Sequence, residues 1–158
     1  MKIPASLLNS FDLKETNDIE LSKGFFVTLC ENNATNPLWA RRARDFIANN
    51  PDHPAAGDEF GKFMLGLRDN VTDKAVTDFI ADVLVIGWKS DELEEYSPEN
   101  ARLLLGALPR LASNIVTQAS IEANFRNAEV DDAVKNSQHC YCGPARNRKM
   151  TTTNGSES

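Results

Sequence analysis

The sequence predicts a mainly α-helical protein: a bundle of about four to five helices, a small N-terminal β-hairpin and a disordered C-terminal tail. Three observations predict this fold class. Apolar residues recur at helical spacing between residues 36 and 127, two candidate helices begin with a capping residue followed by proline, and large apolar residues become sparse after Ala128. We therefore expect one helical domain over residues 1–128 and a flexible tail over residues 129–158.

The hairpin is predicted for about residues 18–30. Two short runs rich in β-forming residues, Asp18–Leu21 and Phe25–Cys30, flank a turn that contains Gly24. In the second run apolar residues alternate, so that one face of the strand is apolar.

The first helix is predicted to begin at Asn36 and Pro37, because asparagine caps helices and proline is tolerated at the first helical position. A second amphipathic stretch follows around Phe60. A third helix, capped by Thr72, is predicted from Asp73 to about Gly87. Valine and isoleucine are dense near its end, so a strand over residues 82–88 remains an alternative.

Two further helices are predicted in the second half of the chain. Ser97 and Pro98 form a capping residue and first helical position, and leucines follow at residues 103–105. Pro109 either kinks this helix or starts a new one that runs to about Asn127.

Composition restricts the partners that we expect. Seventeen lysines and arginines against 23 aspartates and glutamates give a net charge of -6, which disfavours general attraction to nucleic acid or anionic lipid. The N-terminus lacks the apolar core of a signal peptide, and no apolar run is long enough to span a membrane. We expect a cytoplasmic protein with neither nucleic acid nor membrane as a partner.

No catalytic motif is recognisable, and the sequence predicts neither an enzyme nor a cofactor. The one cluster with metal-ligand character is His139-Cys140-Tyr141-Cys142. A closed zinc site needs four ligands, and Cys30 or His53 could supply the fourth only if the tail folded back. We therefore predict no bound metal.

Three aromatic residues are candidate partner-binding residues: Trp39, Trp88 and Tyr96. Tryptophan and tyrosine are enriched among the residues that contribute most to protein interfaces. Trp88 adjoins a polar, acidic segment, which favours a place at the surface, although the apolar residues before it favour the core.

Several pieces occur in an order typical of one family. A short hairpin at Gly24–Val27 precedes a helix that begins with Asn36-Pro37-Leu38-Trp39. The segments Asp82–Trp88 and Tyr96–Ala101 follow, and the last piece is an alanine-rich helix that ends in Asn124-Phe125. Over about residues 18–127 the chain resembles the tail assembly chaperones of long-tailed, siphovirus-type bacteriophages and prophages. The resemblance implies a non-enzymatic protein of the host bacterial cytoplasm that binds the tape measure protein and helps to recruit major tail tube subunits.

The residues leave two other classes of function open: a regulatory protein and, ranked below it, an unrecognised enzyme that uses His139 and the cysteines. A small acidic phage or prophage protein could regulate or inhibit a single host protein, in which case it would bind one compact partner at one-to-one stoichiometry. A chaperone would instead bind one long helical client in many copies. Self-association and a longer frameshifted form are left open by the sequence.

The predicted domain boundary can be tested by truncation. A chain that ends at Ala128 should keep the thermal midpoint of the full chain, because the residues removed have little apolar surface to bury. Thermal unfolding followed by circular dichroism measures this, and a fall of many degrees would contradict the boundary.

Overall fold

The computed structural model describes residues 1–7 and 13–126, and the chain divides into two compact units. Residues 14–125 form the unit that contains every named helix and strand. The second unit combines residues 1–13 with residues 126–158, and in its described part Leu13 and Arg126 form an isolated antiparallel bridge. The tail predicted for residues 129–158 lies outside the described residues.

About 50% of the described residues are helical and 17% are in strands, which form a three-stranded antiparallel sheet. The prediction of a mainly α-helical bundle with only a hairpin is therefore wrong, and the fold is mixed α/β. The error comes from one segment, because the third strand lies where the sequence pattern predicts the end of a helix.

The strands are β1 (Thr16–Ser22), β2 (Phe25–Cys30) and β3 (Val85–Lys89), in the order β1-β2-β3. β1 and β2 form a hairpin whose turn contains Gly24, and its φ of 78° is a left-handed conformation that glycine adopts without strain. Val27 of the central strand lies opposite Ile19 of β1 and opposite Trp88 of β3.

Five α-helices and three shorter helical turns complete the unit. The α-helices are α1 (Pro37–Asn49), α2 (Phe60–Leu65), α3 (Lys74–Phe79), α4 (Pro98–Ala107) and α5 (Pro109–Ala119). The shorter elements are two 3₁₀ turns, Pro54–Ala56 and Glu122–Phe125, and a π-helical turn, Ile80–Leu84.

The capping chemistry largely follows the sequence. Asn36 accepts a hydrogen bond from the Leu38 amide, and Ser97 accepts one from the Asn100 amide at 3.0 Å, so both predicted caps are confirmed. The cap of α3 is Asp73 rather than Thr72, because the Asp73 carboxylate accepts the Ala75 amide. Pro109 starts a new helix, α5.

The third predicted helix is wrong beyond Leu84, where the π-helical turn ends and β3 begins. The alternative prediction, a strand over residues 82–88, is right for residues 85–88, which include Trp88. Residues 80–85 are deeply buried, with Ile80, Val83 and Leu84 fully inaccessible and only Asp82 partly exposed. Apolar residues dominate residues 80–86, so the sequence shows no clear periodicity that would separate helix from strand.

The π-helical turn is the centre of the packing. It contacts four α-helices, α1, α3, α4 and α5, and the strands β2 and β3. A helix that ends in the core leaves its last carbonyl groups without helical partners, and each needs another donor.

Arg42 of α1 supplies these donors. Its Nη2 donates to the carbonyl oxygen of Asp82 at 2.6 Å and to that of Val85 at 3.2 Å, and its Nε donates to the carbonyl of Val83 at 3.0 Å. A guanidinium suits this role because it presents several donors in one plane and its charge favours the negative end of a helix.

A half-buried ion pair joins the same turn to α4. Arg102 Nη1 lies 2.6 Å from Asp82 Oδ1. Burial raises the pKa of Asp82 above its ordinary value, even though the Arg102 charge and hydrogen bond act in the opposite direction. The pair therefore fixes where α4 lies against the turn more than it adds stability.

Arg42→Met should lower the free energy of unfolding by about 2–4 kcal/mol, since methionine keeps the aliphatic packing but removes the side-chain donor of the Asp82 and Val83 carbonyl groups and one of two donors to Val85. Urea unfolding followed by circular dichroism measures the change.

Arg44→Met is the matched control, because Arg44 is an exposed arginine of the same helix. Its loss should change the free energy of unfolding by no more than about 0.5 kcal/mol. Equal effects of the two substitutions would contradict the role given to Arg42.

Candidate protein-binding surface

The three aromatic residues singled out in the sequence do not form one site. Trp39 is 6% exposed, and its ring packs edge-on against Phe60, with centroids 6.4 Å apart. Its indole nitrogen is buried without a hydrogen-bond partner among the described residues. Trp39 therefore belongs to the core.

Trp88 and Tyr96, by contrast, lie together. Their rings make an edge-on contact with centroids 5.3 Å apart, and Phe25 contacts the Trp88 ring at 6.5 Å. The Tyr96 hydroxyl donates to the Val85 carbonyl at 3.3 Å, and burial raises the Tyr96 pKa above its ordinary value. Both rings are half-buried, so they support a surface rather than project from it.

The surface that they support is the acidic loop, residues 90–96. The Trp88 indole N–H donates to the Glu94 carbonyl at 2.9 Å, and the Asn100 side chain donates to the Glu95 carbonyl at 3.0 Å. These bonds attach the loop to β3 and to α4. A loop held in this way has less conformational entropy to lose on binding a partner.

Leu103 of α4 forms an apolar ridge beside the loop, because 72% of its surface is exposed. The inner side of the same helix is buried through Ala101 and Leu105. An exposed leucine alone needs no explanation, but Leu103 also lines two separate grooves.

The first groove lies on the side of α4 that faces α3 and has a volume of about 580 Å³. Its lining includes Val71, Thr77 and Gly106 as well as Leu103. A side chain at Gly106 would meet nothing within 4 Å, so the absence of one there leaves this groove open.

The second groove, with a volume of about 370 Å³, lies between α4 and the acidic loop. Trp88, Leu93 and Leu104 contribute its apolar part together with Leu103. Its charged lining residues are Glu92 and Glu94.

Charges are distributed differently around the two grooves. At the first groove Lys74 pairs with Asp78 at 2.6 Å and Arg102 pairs with Asp82. The four carboxylates of the acidic loop make no ion pair within 4.0 Å to any described residue. These four residues are Asp91, Glu92, Glu94 and Glu95. The side of α4 next to the loop is therefore apolar with an uncompensated negative rim.

Sequence reasoning missed Leu103, although a signal was present. Three consecutive leucines, Leu103–Leu105, turn through about 200° on a helix, which is wider than the apolar stripe of a helix packed on one side. At least one of them had to point away from the core.

Of the residues considered for a metal site, Cys30 and His53 are among the described residues. His139, Cys140 and Cys142 lie outside the described residues. The two proposed fourth ligands are both occupied: the nitrogens of His53 bond to the Ala55 amide and the Ala75 carbonyl, and Cys30 is fully buried. Burial raises the pKa of the Cys30 thiol to about 11, which disfavours the thiolate that zinc binds.

Within residues 1–7 and 13–126, no helix combines the length and the apolar content needed to cross a bilayer. No group of three or more histidine, cysteine, aspartate or glutamate side chains there has the arrangement of a metal site.

Comparison with known proteins defines the class of the molecule as a prophage protein. More particularly, the chain belongs to the YdaY prophage protein family, whose model matches residues 30–136. The match begins at the last residue of β2 and covers α1 to α5, β3 and the acidic loop. No curated protein and no solved structure shows a significant match. The phage origin implied by the resemblance is thereby confirmed, whereas the family description names no tail component.

Trp88→Phe should release the acidic loop, because phenylalanine keeps an aromatic ring but lacks the N–H that bonds to the Glu94 carbonyl. A glutamate-specific protease should then cut the loop several-fold faster, since such enzymes cleave locally opened segments. Mass spectrometry of the early fragments identifies cuts after Glu92, Glu94 and Glu95.

Trp39→Phe is the matched control. It makes the same substitution at a tryptophan whose indole nitrogen has no partner in the described part of the chain. The cutting rate in the loop should stay at the wild-type value. Equal rates in wild type and both variants would contradict the anchoring role of Trp88.

Proposed function

We propose that the protein is a non-enzymatic tail assembly chaperone, which binds the tape measure protein in the host cytoplasm and helps to recruit major tail tube subunits around it. The observation that carries the proposal is the exposed Leu103 ridge with a groove on each side and an uncompensated acidic rim. Membership of a prophage protein family and the resemblance to tail assembly chaperones supply the biological setting.

The physical case rests on the needs of such a client. A tape measure protein is long and helical, and before the tube covers it the apolar stripes of its helices are open to aggregation. A small protein that offers an apolar ridge can cover such a stripe, while a net charge of -6 keeps the complex soluble. Several weak sites along one client also permit displacement by tube subunits.

The chemistry of the described carboxylates supports the non-enzymatic part of the proposal. Asp78 and Asp82, the pair at helical spacing, each bind a cation of this chain, Lys74 and Arg102 respectively. A general acid or base must instead be free to exchange a proton with a substrate.

The test is co-expression with the tape measure protein encoded by the same prophage. The protein should increase the soluble fraction of that client several-fold, because it covers apolar surface that otherwise aggregates, and it should co-purify in several copies per client chain. Native mass spectrometry gives the stoichiometry.

Two outcomes would contradict the proposal. If the client stays insoluble and nothing co-purifies, the protein is not its chaperone. If instead a compact host protein co-purifies at one-to-one stoichiometry, the regulatory or inhibitory function is the correct one. Co-expression with an unrelated acidic protein of similar size is the control for solubilisation by charge alone.

A further inference from the structure

We propose that α4 and the acidic loop together bind one amphipathic helix of a partner protein, and that this helix carries lysine or arginine beside its apolar stripe. The inference deepens the proposed function and rests on it for the identity of the partner, but not for the binding chemistry.

The shape of the surface favours a helix as the occupant. Helices pack by placing the side-chain ridge of one into the groove of the other, and α4 presents one ridge, at Leu103, between two grooves. The main-chain groups of α4 are bonded within the helix, so an extended peptide would find no strand edge to pair with there. Affinity must come from side chains.

The charge of the rim favours a basic occupant. The four carboxylates of the acidic loop lie within five residues, and Lys89, the cation next to them in sequence, pairs with Asp18 at 3.7 Å. A lysine or arginine of the partner would reduce the repulsion among these carboxylates without breaking any ion pair described in this chain. An acidic helix would increase the repulsion.

Preorganisation adds to this preference. Trp88 and Asn100 fix the backbone of the acidic loop by their bonds to Glu94 and Glu95. Two of the loop's carboxylate residues, Glu92 and Glu94, line the second groove together with Leu103, so one helix face can reach apolar and acidic groups at once.

The test uses two synthetic helical peptides, each about six turns long and built on the same leucine stripe. One peptide carries lysine at the positions that flank the stripe, and the other carries glutamate. Titration of the full-length protein by calorimetry should give one-to-one binding of the lysine peptide at least about tenfold tighter than that of the glutamate peptide. The preference should weaken at about 0.5 M salt, because the rim is exposed.

Variants separate the apolar and the charged contributions. Leu103→Asp should weaken lysine-peptide binding by about tenfold or more, whereas Leu65→Asp, at an 88% exposed leucine outside both grooves, should leave it unchanged. Gly106→Leu adds a side chain beside the first groove, at a position where a Cβ meets nothing within 4 Å, and should weaken binding in a chain that stays folded. Glu92→Lys with Glu94→Lys should reverse the preference between the peptides.

Three results would overturn the inference: equal affinity for the two peptides, unchanged affinity of the Leu103→Asp variant, or binding that appears only after residues 127–158 are removed. A dimer of the full chain that Leu103→Asp dissociates would assign the surface to a second copy and would also overturn it. If the lysine peptide binds as expected but the tape measure protein does not co-purify, the proposed function alone fails. If the client co-purifies equally with Leu103→Asp, the inference alone fails.

Discussion

Four of the five helices and two of the three strands pack against one buried segment, in which the chain changes from helix to strand. Between Ile80 and Val85 the chain lies in the core, where water cannot satisfy its carbonyl groups. The guanidinium of Arg42 satisfies three of them, at Asp82, Val83 and Val85. Without this arginine the segment would lose either its burial or its hydrogen bonds, and β3 could not continue directly from the helix into the sheet.

The candidate surface follows from the same segment. β3 continues from it and carries Trp88, which holds the acidic loop, while Asp82 of the turn binds Arg102 of α4. The loop and α4 are thus attached to one element of the core and keep a fixed relation to each other. Because the inner side of α4 is fully used in packing, Leu103 is left on the outside.

The parts of the fold that the sequence predicts correctly are local. Each cap, at Asn36 and at Ser97, is a bond between a side chain and an amide two or three residues away, so it can be predicted from residue type and spacing alone. The segment around Val83 cannot be assigned in this way, because the elements that surround it are distant in sequence and its own residues are mostly apolar. Arg42 is unremarkable in sequence for the same reason, since its carbonyl partners lie about 40 residues further along the chain. The sequence does not show that Trp39 lies in the core while Trp88 and Tyr96 lie together beside the acidic loop, because the position of Trp88 depends on the third strand.

The most direct measurement is hydrogen–deuterium exchange of the full-length protein, alone and with its tape measure client. In the free protein the amides of residues 80–85 should be among the slowest to exchange, because nearly all of these residues are fully buried and opening them requires unfolding of the whole unit. On client binding, protection should increase in residues 90–108, and the slow segment should stay as it was. Rapid exchange at residues 80–85, or protection gained at β1 or α1 instead of α4, would contradict this account.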